Sequence, residues 1–319
     1  MRAPALLMSG ATDPGTVRQS NEDAFWCDAG LGAAIVADGM GGHAAGEVAS
    51  AATVEAFAEI VARRLPAAAG TAQVKELMAE ALGTANSRVR GMIEADPQKE
   101  GMGSTAVCVC RHGNEMVIAH IGDSRAYLFR RGRLTPLTKD HSYVQSLVDS
   151  GALSPVDAEK HPQRNLITRC IGGDSDARVD LTALEFAKGD LLLLCSDGLS
   201  GVLGAADMEG LLTEAASLSG ARDRLLEHTI ARGAPDNVTL LLAGLPGWYG
   251  WRGQLGEGAK ALLRPAVWRA GQGRPQAEAL WGLLRLAGGR WAGQARLLLR
   301  RLSASGTAAW GRLRRRLPF

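Results

Sequence analysis

Five short apolar runs, separated by turn residues, set the strongest limit on how this chain folds. They are rich in β-branched side chains and bounded by glycine or polar residues, a pattern that favours β-strands. The runs are AAIVAD (33–38), TAVCVC (105–110), MVIAHIGD (116–123), DLLLLCSD (190–197) and NVTLLLAG (237–244). The runs 105–110 and 116–123 come close together in a pair with a turn-like join, CRHGNE (110–115). We therefore expect largely antiparallel sheets rather than an alternating parallel sheet.

Two further segments show the spacing of helices with one buried face. The first apolar stripe consists of Val54, Phe57, Ala58, Val61 and Leu65, and the second of Val74, Leu77, Met78, Ala81 and Ala85. The fold class predicted from these patterns is therefore α+β, with a pair of long helices beside the sheets.

Charge is unevenly distributed along the 319 residues, whose formal net charge is +3. Residues 247–319 contain 14 Lys and Arg against two acids, which leaves 22 basic and 31 acidic residues in 1–246. Glycines at 244–258 are typical of a linker. We predict one domain over 1–245, a Gly-rich linker over 246–258 and a basic, Trp/Arg/Leu-rich amphipathic extension over 259–319.

The five cysteines are odd in number and form no CxxC pair. Buried free thiols in a reducing cytoplasm are the simplest interpretation. The N-terminal apolar stretch is too short for a signal peptide, and no run of about 18 apolar residues predicts a membrane span. We expect a cytoplasmic protein.

An aspartate stands at one end of four of the predicted strands: Asp38, Asp123, Asp197 and Asp236. A lone Asp-Gly at a strand end is usually an ordinary turn. A carboxylate at the end of a buried strand is costly, however, unless it is paired or bound to a metal. Four of them from four strands can converge on one pocket. Such hard oxygen ligands suit Mg²⁺ and Mn²⁺, and no His or Cys spacing suggests zinc.

Seven motifs surround these aspartates, in order along residues 8–245. They are TDPGTVRQSNEDAF (12–25), VADGMGGHAAGEVAS (36–50), GMGSTAV (101–107), AHIGDSRAYLFRRGRLTPLTKDHS (119–142), LITRCIGG (166–173), LLLCSDGL (192–199) and GAPDNVTLLL (233–242). Together they resemble the metal-dependent protein phosphatase family, the type 2C serine/threonine phosphatases, in its bacterial form. The resemblance implies a central antiparallel β-sandwich flanked by α-helices, in four αββα layers, with the metal site at one end.

The resemblance also implies a set of metal ligands. Asp38 resembles the carboxylate that bridges two metal ions, and Gly39 resembles the residue that offers its backbone carbonyl to one of them. Asp197 and Asp236 resemble ligands of the other ion. Glu22 resembles a residue that holds a metal-bound water.

A third ion and a substrate contact follow from the same resemblance. Asp123, with Asp197, resembles the third-metal site of bacterial members. Arg18 resembles the arginine that binds the substrate phosphate, a role that suits its planar fork of donors. Arg18 and Asp38 are the predicted catalytic residues.

The implied reaction is hydrolysis of phosphoserine and phosphothreonine by water activated between two Mn²⁺ or Mg²⁺ ions, with no phosphoenzyme. The chain departs from animal members at Met40, where they often carry a histidine as a proposed general acid. His43 and His141 lie in neighbouring motifs, and we expect structural hydrogen bonds from them rather than catalysis. Residues 143–165 resemble a flap beside the site; the alternative is an ordinary surface helix and loop.

Residues 247–319 carry six of the seven tryptophans. In 290–302 and 277–287, apolar residues fall on one helical face, and in 290–302 arginines fall away from it. Such a helix suits an anionic membrane surface, placing the protein peripherally at the inner membrane, or a partner's apolar groove. Packing on the domain and disorder are the alternatives, and no base-reading motif predicts specific nucleic-acid binding.

The expected partners are phosphorylated proteins, among them a serine/threonine kinase and its substrates. Two rival functions keep the same fold. One is a catalytically silent phosphoprotein-binding regulator, which loss of a metal aspartate would favour, although none is missing. The other is a regulator that acts on a single phosphorylated partner.

Overall fold

A computed structural model of the chain describes residues 5–41 and 45–245 and the backbone of residues 266–268. These residues belong to one compact unit, Met1–Gly271. His43, the predicted linker and most of the predicted basic extension lie outside the described residues. The hypothesis of membrane or partner docking by the extension therefore stays a prediction.

Two sheets make up the centre of the fold, and every strand pair within them is antiparallel. The five-stranded sheet has the order β1 (Leu7–Asp13), β11 (Val238–Gly244), β10 (Leu191–Cys195), β7 (Arg125–Arg130) and β8 (Arg133–Pro136). The second sheet has the order β12 (Ala266–Trp268), β2 (Asp23–Asp28), β3 (Ala33–Met40), β5 (Ala106–His112), β6 (Glu115–Ile121) and β9 (Asp180–Glu185), and the short β4 (Gly103–Ser104) also pairs with β3.

Seven α-helices accompany the sheets in the described part of the chain. They are α1 (Ala45–Arg64), α2 (Thr71–Ala95), α3 (Tyr143–Asp149), α4 (Pro155–Ala158), α5 (Asp197–Ser200), α6 (Ala205–Thr213) and α7 (Leu218–Ala231). The two apolar stripes seen in the sequence lie on α1 and α2, with Leu65 just past the end of α1.

Three apolar cores separate four layers. Because side chains alternate along a strand, Ile35 and Val36 of β3 enter different cores. Ile35 packs in the core that α1 and α2 share with the larger sheet, and Val36 packs with Leu192 between the two sheets. The third core joins the five-stranded sheet to α6 and α7 and contains Leu240 and Leu225. The predicted αββα arrangement is therefore confirmed.

The five predicted strands are all present, but the predicted position of the aspartates at strand ends needs correction. Asp38 lies inside β3, two residues before its end, and Asp197 begins α5. Asp123 follows the end of β6 by two residues, and Asp236 precedes β11 by two. The carboxylates therefore sit on the connections as well as on the strands.

All five cysteines are free; Cys108, Cys110 and Cys195 are buried, whereas Cys27 and Cys170 are half-buried. No helix among the described residues is long and apolar enough to cross a membrane.

Asn86 of α2 is 1% exposed. It binds the loop after Ile171, a residue that forms an isolated β-bridge with Ser104 of β4. Its side chain accepts a hydrogen bond from the backbone N–H of Gly172 (2.7 Å) and donates to the carbonyl of Asp174 (3.0 Å). We expect Asn86→Ala to lower the free energy of unfolding by about 1–3 kcal/mol, because the Gly172 N–H and the Asp174 carbonyl lose the partner that this buried side chain provides. Urea denaturation measures this change.

The matched control is Ser87→Ala, at an exposed position on the same helix. It is expected to change the free energy of unfolding by no more than about 0.5 kcal/mol. Equal effects of the two substitutions would contradict the role given to Asn86.

Candidate metal centre

One buried side chain holds the loop between β1 and β2, which carries two of the predicted site residues. Asn237 donates from Nδ2 to the carbonyls of Pro14 (3.1 Å) and Ser20 (2.8 Å). Its Oδ1 accepts from the backbone N–H of Glu22 (2.7 Å). Asn237 directly follows Asp236, so one dipeptide places a predicted ligand and anchors the loop that brings Glu22 to it.

Arg18 lies on the same loop and pairs with Asp236. Its Nη2 donates to Asp236 Oδ2 at 2.8 Å, and the two side chains are 52% and 35% exposed. The pKa of the Arg18 guanidinium is raised, first by the charge of Asp236 and further by Glu22 and Asp38. Arg18 is thus a cation at the rim of an acidic cluster, exposed enough to contact a ligand from solvent.

Thr105 connects two of the predicted ligands. The backbone N–H of Asp38 donates to Thr105 Oγ1 (2.9 Å), and the Thr105 N–H donates to the Asp38 carbonyl (2.8 Å). Thr105 Oγ1 also shares a hydrogen bond of 2.7 Å with Ser124 Oγ, next to Asp123. One side chain therefore links the backbone of Asp38 to the residue next to Asp123.

Gly39 is required by its surroundings. A Cβ at this position would lie 1.9 Å from the Gly46 carbonyl oxygen and 2.7 Å from that of Glu22, both of them backbone atoms. The Gly39 N–H donates to the Glu22 carbonyl at 3.1 Å. The close approach of backbones at this point keeps Glu22 beside the end of β3.

Asp23 is a site residue that the sequence analysis missed. It is fully buried and lies directly opposite Asp38 in the β2–β3 pair. Its Oδ2 accepts from Ser196 Oγ (2.8 Å), which in turn accepts from the Thr239 N–H (3.0 Å). Its Oδ1 has no hydrogen-bond partner among the described residues. Burial raises the pKa of Asp23 to about 7. The sequence signal that could have identified Asp23 is an acidic residue at the start of the apolar segment DAFWC.

The carboxylates strongly perturb one another. Burial, followed by the charges of Asp23 and Asp197, raises the pKa of Asp38 well above its usual range. Burial and Asp197 raise the pKa of Asp123 to about 8. The pKa of Glu22 is also raised, mainly by burial. Burial and then the charge of Asp236 raise the pKa of Asp197, an effect that a hydrogen bond with Asp38 opposes. Crowded, desolvated oxygen ligands of this kind fit a hard divalent cation, which would remove the repulsion.

The hydrogen bonds and the mutual effects on pKa show that the seven residues predicted from the sequence lie close together at one end of the sandwich. They are Arg18, Glu22, Asp38, Gly39, Asp123, Asp197 and Asp236.

A second group with potential ligand atoms within 4.8 Å of one another consists of His120, His141 and Asp180. Arg169 already occupies it, with Nη2 donating to Asp180 Oδ1 at 2.8 Å. His141 Nδ1 accepts from the Gly122 N–H (3.1 Å), so a neutral His141 carries its proton on Nε2 and offers no lone pair there. We interpret this group as a hydrogen-bond network rather than a metal site.

The expectation that His141 forms structural hydrogen bonds is confirmed by this network. Both ring nitrogens have partners, because Nε2 also lies 3.2 Å from Asp180 Oδ2. Burial lowers the pKa of His141, which favours the neutral ring. His141 is therefore not free to protonate a leaving group.

A cavity of about 600 Å³ lies beside the acidic cluster. Asp123 and Asp197 form part of its wall, and α3, α4 and the segment that follows them contribute Gln145, Lys160 and Arg164. The segment 143–165 thus borders the acidic cluster and contains two short helices, and its role as a flap stays a prediction.

Comparison with known proteins identifies the family. The model of the protein phosphatase 2C family matches residues 16–234. The chain is 41% identical over 239 residues to the serine/threonine protein phosphatase PstP of Mycobacterium tuberculosis, covering 75% of this chain and 45% of that protein. It is 35% identical over 234 residues to the serine/threonine phosphatase stp of Listeria welshimeri, covering 72% of this chain and 92% of that protein. The chain belongs to the protein phosphatase 2C family, as its motifs predicted.

A solved structure supports the same assignment. The catalytic domain of the serine/threonine protein phosphatase PstP in complex with two manganese ions has 37% sequence identity and a TM-score of 0.67. The match covers 76% of this chain and 98% of that one. The chain spans less than half of the length of the full mycobacterial protein.

The raised pKa values make stability depend on pH in the metal-free protein. A carboxyl whose pKa rises from 3.8 to about 8, as for Asp123, stabilises the fold fully below pH 3.8 and loses that contribution as the pH rises through about 8. Neutral histidines oppose this trend only below about pH 6.5. In EDTA we expect the Tm to fall between about pH 6.5 and 8.5. Differential scanning fluorimetry measures it.

Asp123→Asn should flatten that decline, because the amide does not titrate. Asp223→Asn, which changes a 51% exposed acid, is the matched control and should leave the slope unchanged. A Tm in EDTA that rises over this range would contradict the electrostatic account.

Proposed function

We propose that this chain is a metal-dependent serine/threonine protein phosphatase that hydrolyses phosphoserine and phosphothreonine in proteins. The observation that carries the proposal is the convergence of Glu22, Asp38, Asp123, Asp197 and Asp236 at one end of the sandwich, with an exposed arginine at their rim. The two manganese ions of the PstP catalytic domain support the proposal.

Asp38, the Gly39 carbonyl, Asp197 and Asp236 would hold two Mn²⁺ or Mg²⁺ ions. Glu22 would hold a water at the same centre. Asp123 and Asp197 would hold a third ion. When bound, the cations supply an activated water and positive charge for the phosphoryl oxygens.

The other residues of the site orient the substrate and the ligands. Arg18 turns from Asp236 to the phosphate, where its donors match two phosphoryl oxygens. This exchange needs no unfolding, because the Arg18–Asp236 pair is exposed and such pairs contribute only about 0–1 kcal/mol. Asn237 and Thr105 hold the backbones of Glu22 and Asp38 in place.

The natural substrates proposed are phosphorylated proteins, and a serine/threonine kinase with its substrates is the proposed biological counterpart. The serine/threonine phosphatases among the relatives support this class of substrate. Met40 offers no acid group, and His141 is committed to its network, so neither is assigned a proton-transfer role.

The proposal predicts that hydrolysis of a phosphothreonine peptide requires Mn²⁺ and Asp236. EDTA should abolish turnover, and Asp236→Asn should lower kcat/KM by about 100-fold or more, because loss of a charged ligand removes several kcal/mol of transition-state stabilisation. Steady-state phosphate release measures both effects.

Asp223→Asn is the matched control and should retain the wild-type rate, since Asp223 pairs with Arg222 on the surface. Turnover that survives both EDTA and Asp236→Asn would refute the metal mechanism. Wild-type protein that binds Mn²⁺ without turnover would instead favour the silent phosphoprotein-binding regulator.

The flap is proposed to contact the peptide on either side of the phosphorylated residue, because it borders the cavity next to Asp123 and Asp197. Shortening residues 150–162 should lower kcat/KM for a phosphothreonine peptide by about tenfold, equivalent to roughly 1.4 kcal/mol of lost binding. Hydrolysis of a small aryl phosphate should change much less, because that substrate does not reach the flap. Equal losses on both substrates would remove the flap from substrate recognition.

A further inference from the structure

The connection between β6 and β7 is three residues long. His141 forms hydrogen bonds with both the N–H and the carbonyl of its first residue, Gly122. Gly122 has a φ of +102° and donates its N–H to His141 Nδ1 at 3.1 Å. Its carbonyl accepts from the backbone N–H of His141 at 2.8 Å and lies 3.0 Å from His120 Nε2. Asp123 is the next residue, so its backbone starts from this doubly held glycine.

The ring of His141 is in turn fixed at its far edge. Nε2–H donates to Asp180 Oδ2 at 3.2 Å, and Arg169 Nη2 donates to Asp180 Oδ1 at 2.8 Å. The ring packs against His120 with centroids 4.2 Å apart. The His141 carbonyl accepts from the Thr168 N–H at 2.8 Å. A ring held by this many partners presents Nδ1 to Gly122 in one orientation.

The backbone at Asp123 needs such a restraint more than that of an ordinary loop residue, because its carboxylate lies among other acids. It is 7% exposed and experiences the charges of Asp197 and Asp140. Repulsion of this kind would move a free loop away from the cluster. Ser124, bonded to Thr105, restrains the loop on its other side, which leaves His141 to restrain the Gly122 side.

We propose that His141 is a positioning residue for the metal centre, and that the hydrogen bond from the Gly122 N–H to its Nδ1 keeps Asp123 where it can bind a divalent cation. This inference rests on the proposed function, because it takes Asp123 as a ligand. His141 touches neither the substrate nor the cation and acts only through the loop.

Two conservative substitutions of His141 distinguish the roles of its two ring nitrogens. Asn places its Oδ1 close to the position of Nδ1 and keeps an acceptor for the Gly122 N–H. Gln reaches the position of Nε2 and keeps a contact with Asp180, but offers no acceptor at Nδ1. A residue that merely fills space would respond alike to both changes.

The experiment is a Mn²⁺ titration of the metal-free full chain by isothermal calorimetry, with no substrate present. The binding step that Asp123→Asn removes defines the contribution of Asp123. We expect His141→Gln to weaken this step by about 10- to 100-fold, as is typical when a partner that orients a ligand is lost. His141→Asn should stay within about threefold of wild type. His141→Gln should have no further effect in the Asp123→Asn background.

Three results would overturn the proposal: equal weakening by Asn and Gln, an effect of His141→Gln that persists without Asp123, or identical Mn²⁺ binding by wild type and Asp123→Asn. Because binding is measured without turnover, a protein that binds Mn²⁺ as expected but hydrolyses nothing would refute the proposed function alone.

A second measurement on the wild-type chain covers the case in which His141→Gln does not fold. Mg²⁺ binding at Asp123 should slow hydrogen exchange of the Gly122 amide, because the loop and its hydrogen bond to His141 become more ordered together. NMR-detected exchange with and without Mg²⁺ tests this. An unchanged exchange rate at saturating Mg²⁺ would contradict the proposed coupling.

Discussion

Repulsion between buried carboxylates is the constraint on which the rest of this structure depends. Asp23 and Asp38 face each other across two strands, and Asp197, Asp123 and Asp236 add their charges from separate connections. Desolvation makes the charges of Asp23, Asp38, Asp123 and Asp197 more costly than on a surface. The three apolar cores hold the strands together against this cost, so the sandwich acts as a frame that keeps an unfavourable charge arrangement in place.

The residues that position the cluster are mostly neutral. Asn237, Thr105 and His141 hold backbone N–H and carbonyl groups next to the ligands rather than neutralising the ligands themselves. A lysine at any of these positions would also hold an acid, but its charge would compete with a divalent cation for the same oxygens. Neutral hydrogen bonds fix the geometry and leave the negative potential for the cation. Arg18 is the exception, and its exposed position at the rim lets it leave.

The parts of the fold that sequence analysis could predict were those with a strong local pattern. Runs such as DLLLLCSD identify a buried strand without further information. The aspartates stand out because they interrupt apolar segments of the sequence. Strand β9, DLTALE, was not predicted from the sequence because half of its residues are exposed and its composition is mixed. Helices α6 and α7 likewise lacked a stripe as regular as that of α2, which packs against a sheet along its length.

The site divides in the same way. Resemblance to a family was needed for Arg18 and Glu22, since nothing local distinguishes them from other loop residues. The role of Asn237 was missed because its partners, Pro14, Ser20 and Glu22, lie 215 or more residues away in the sequence. Hydrogen bonds at that separation leave no periodic signal in one sequence. Only the three-dimensional structure shows that the loop between β1 and β2 closes onto the residue that precedes β11.

The same electrostatics bear on the rival in which the chain binds phosphoproteins without hydrolysing them. A phosphorylated side chain carries about −1.5 to −2 charges, so the acidic cluster would repel it unless cations were present. A phosphate-binding regulator built on these residues would therefore need the same ions as an enzyme. Cations that hold both water and a phosphoryl group already meet the main requirement for hydrolysis. An arrangement meant only for binding would be better served by replacing Asp23, whose buried Oδ1 has no partner among the described residues, with a neutral side chain. A carboxyl group at this buried position fits a centre that concentrates cations, as the proposed hydrolysis requires.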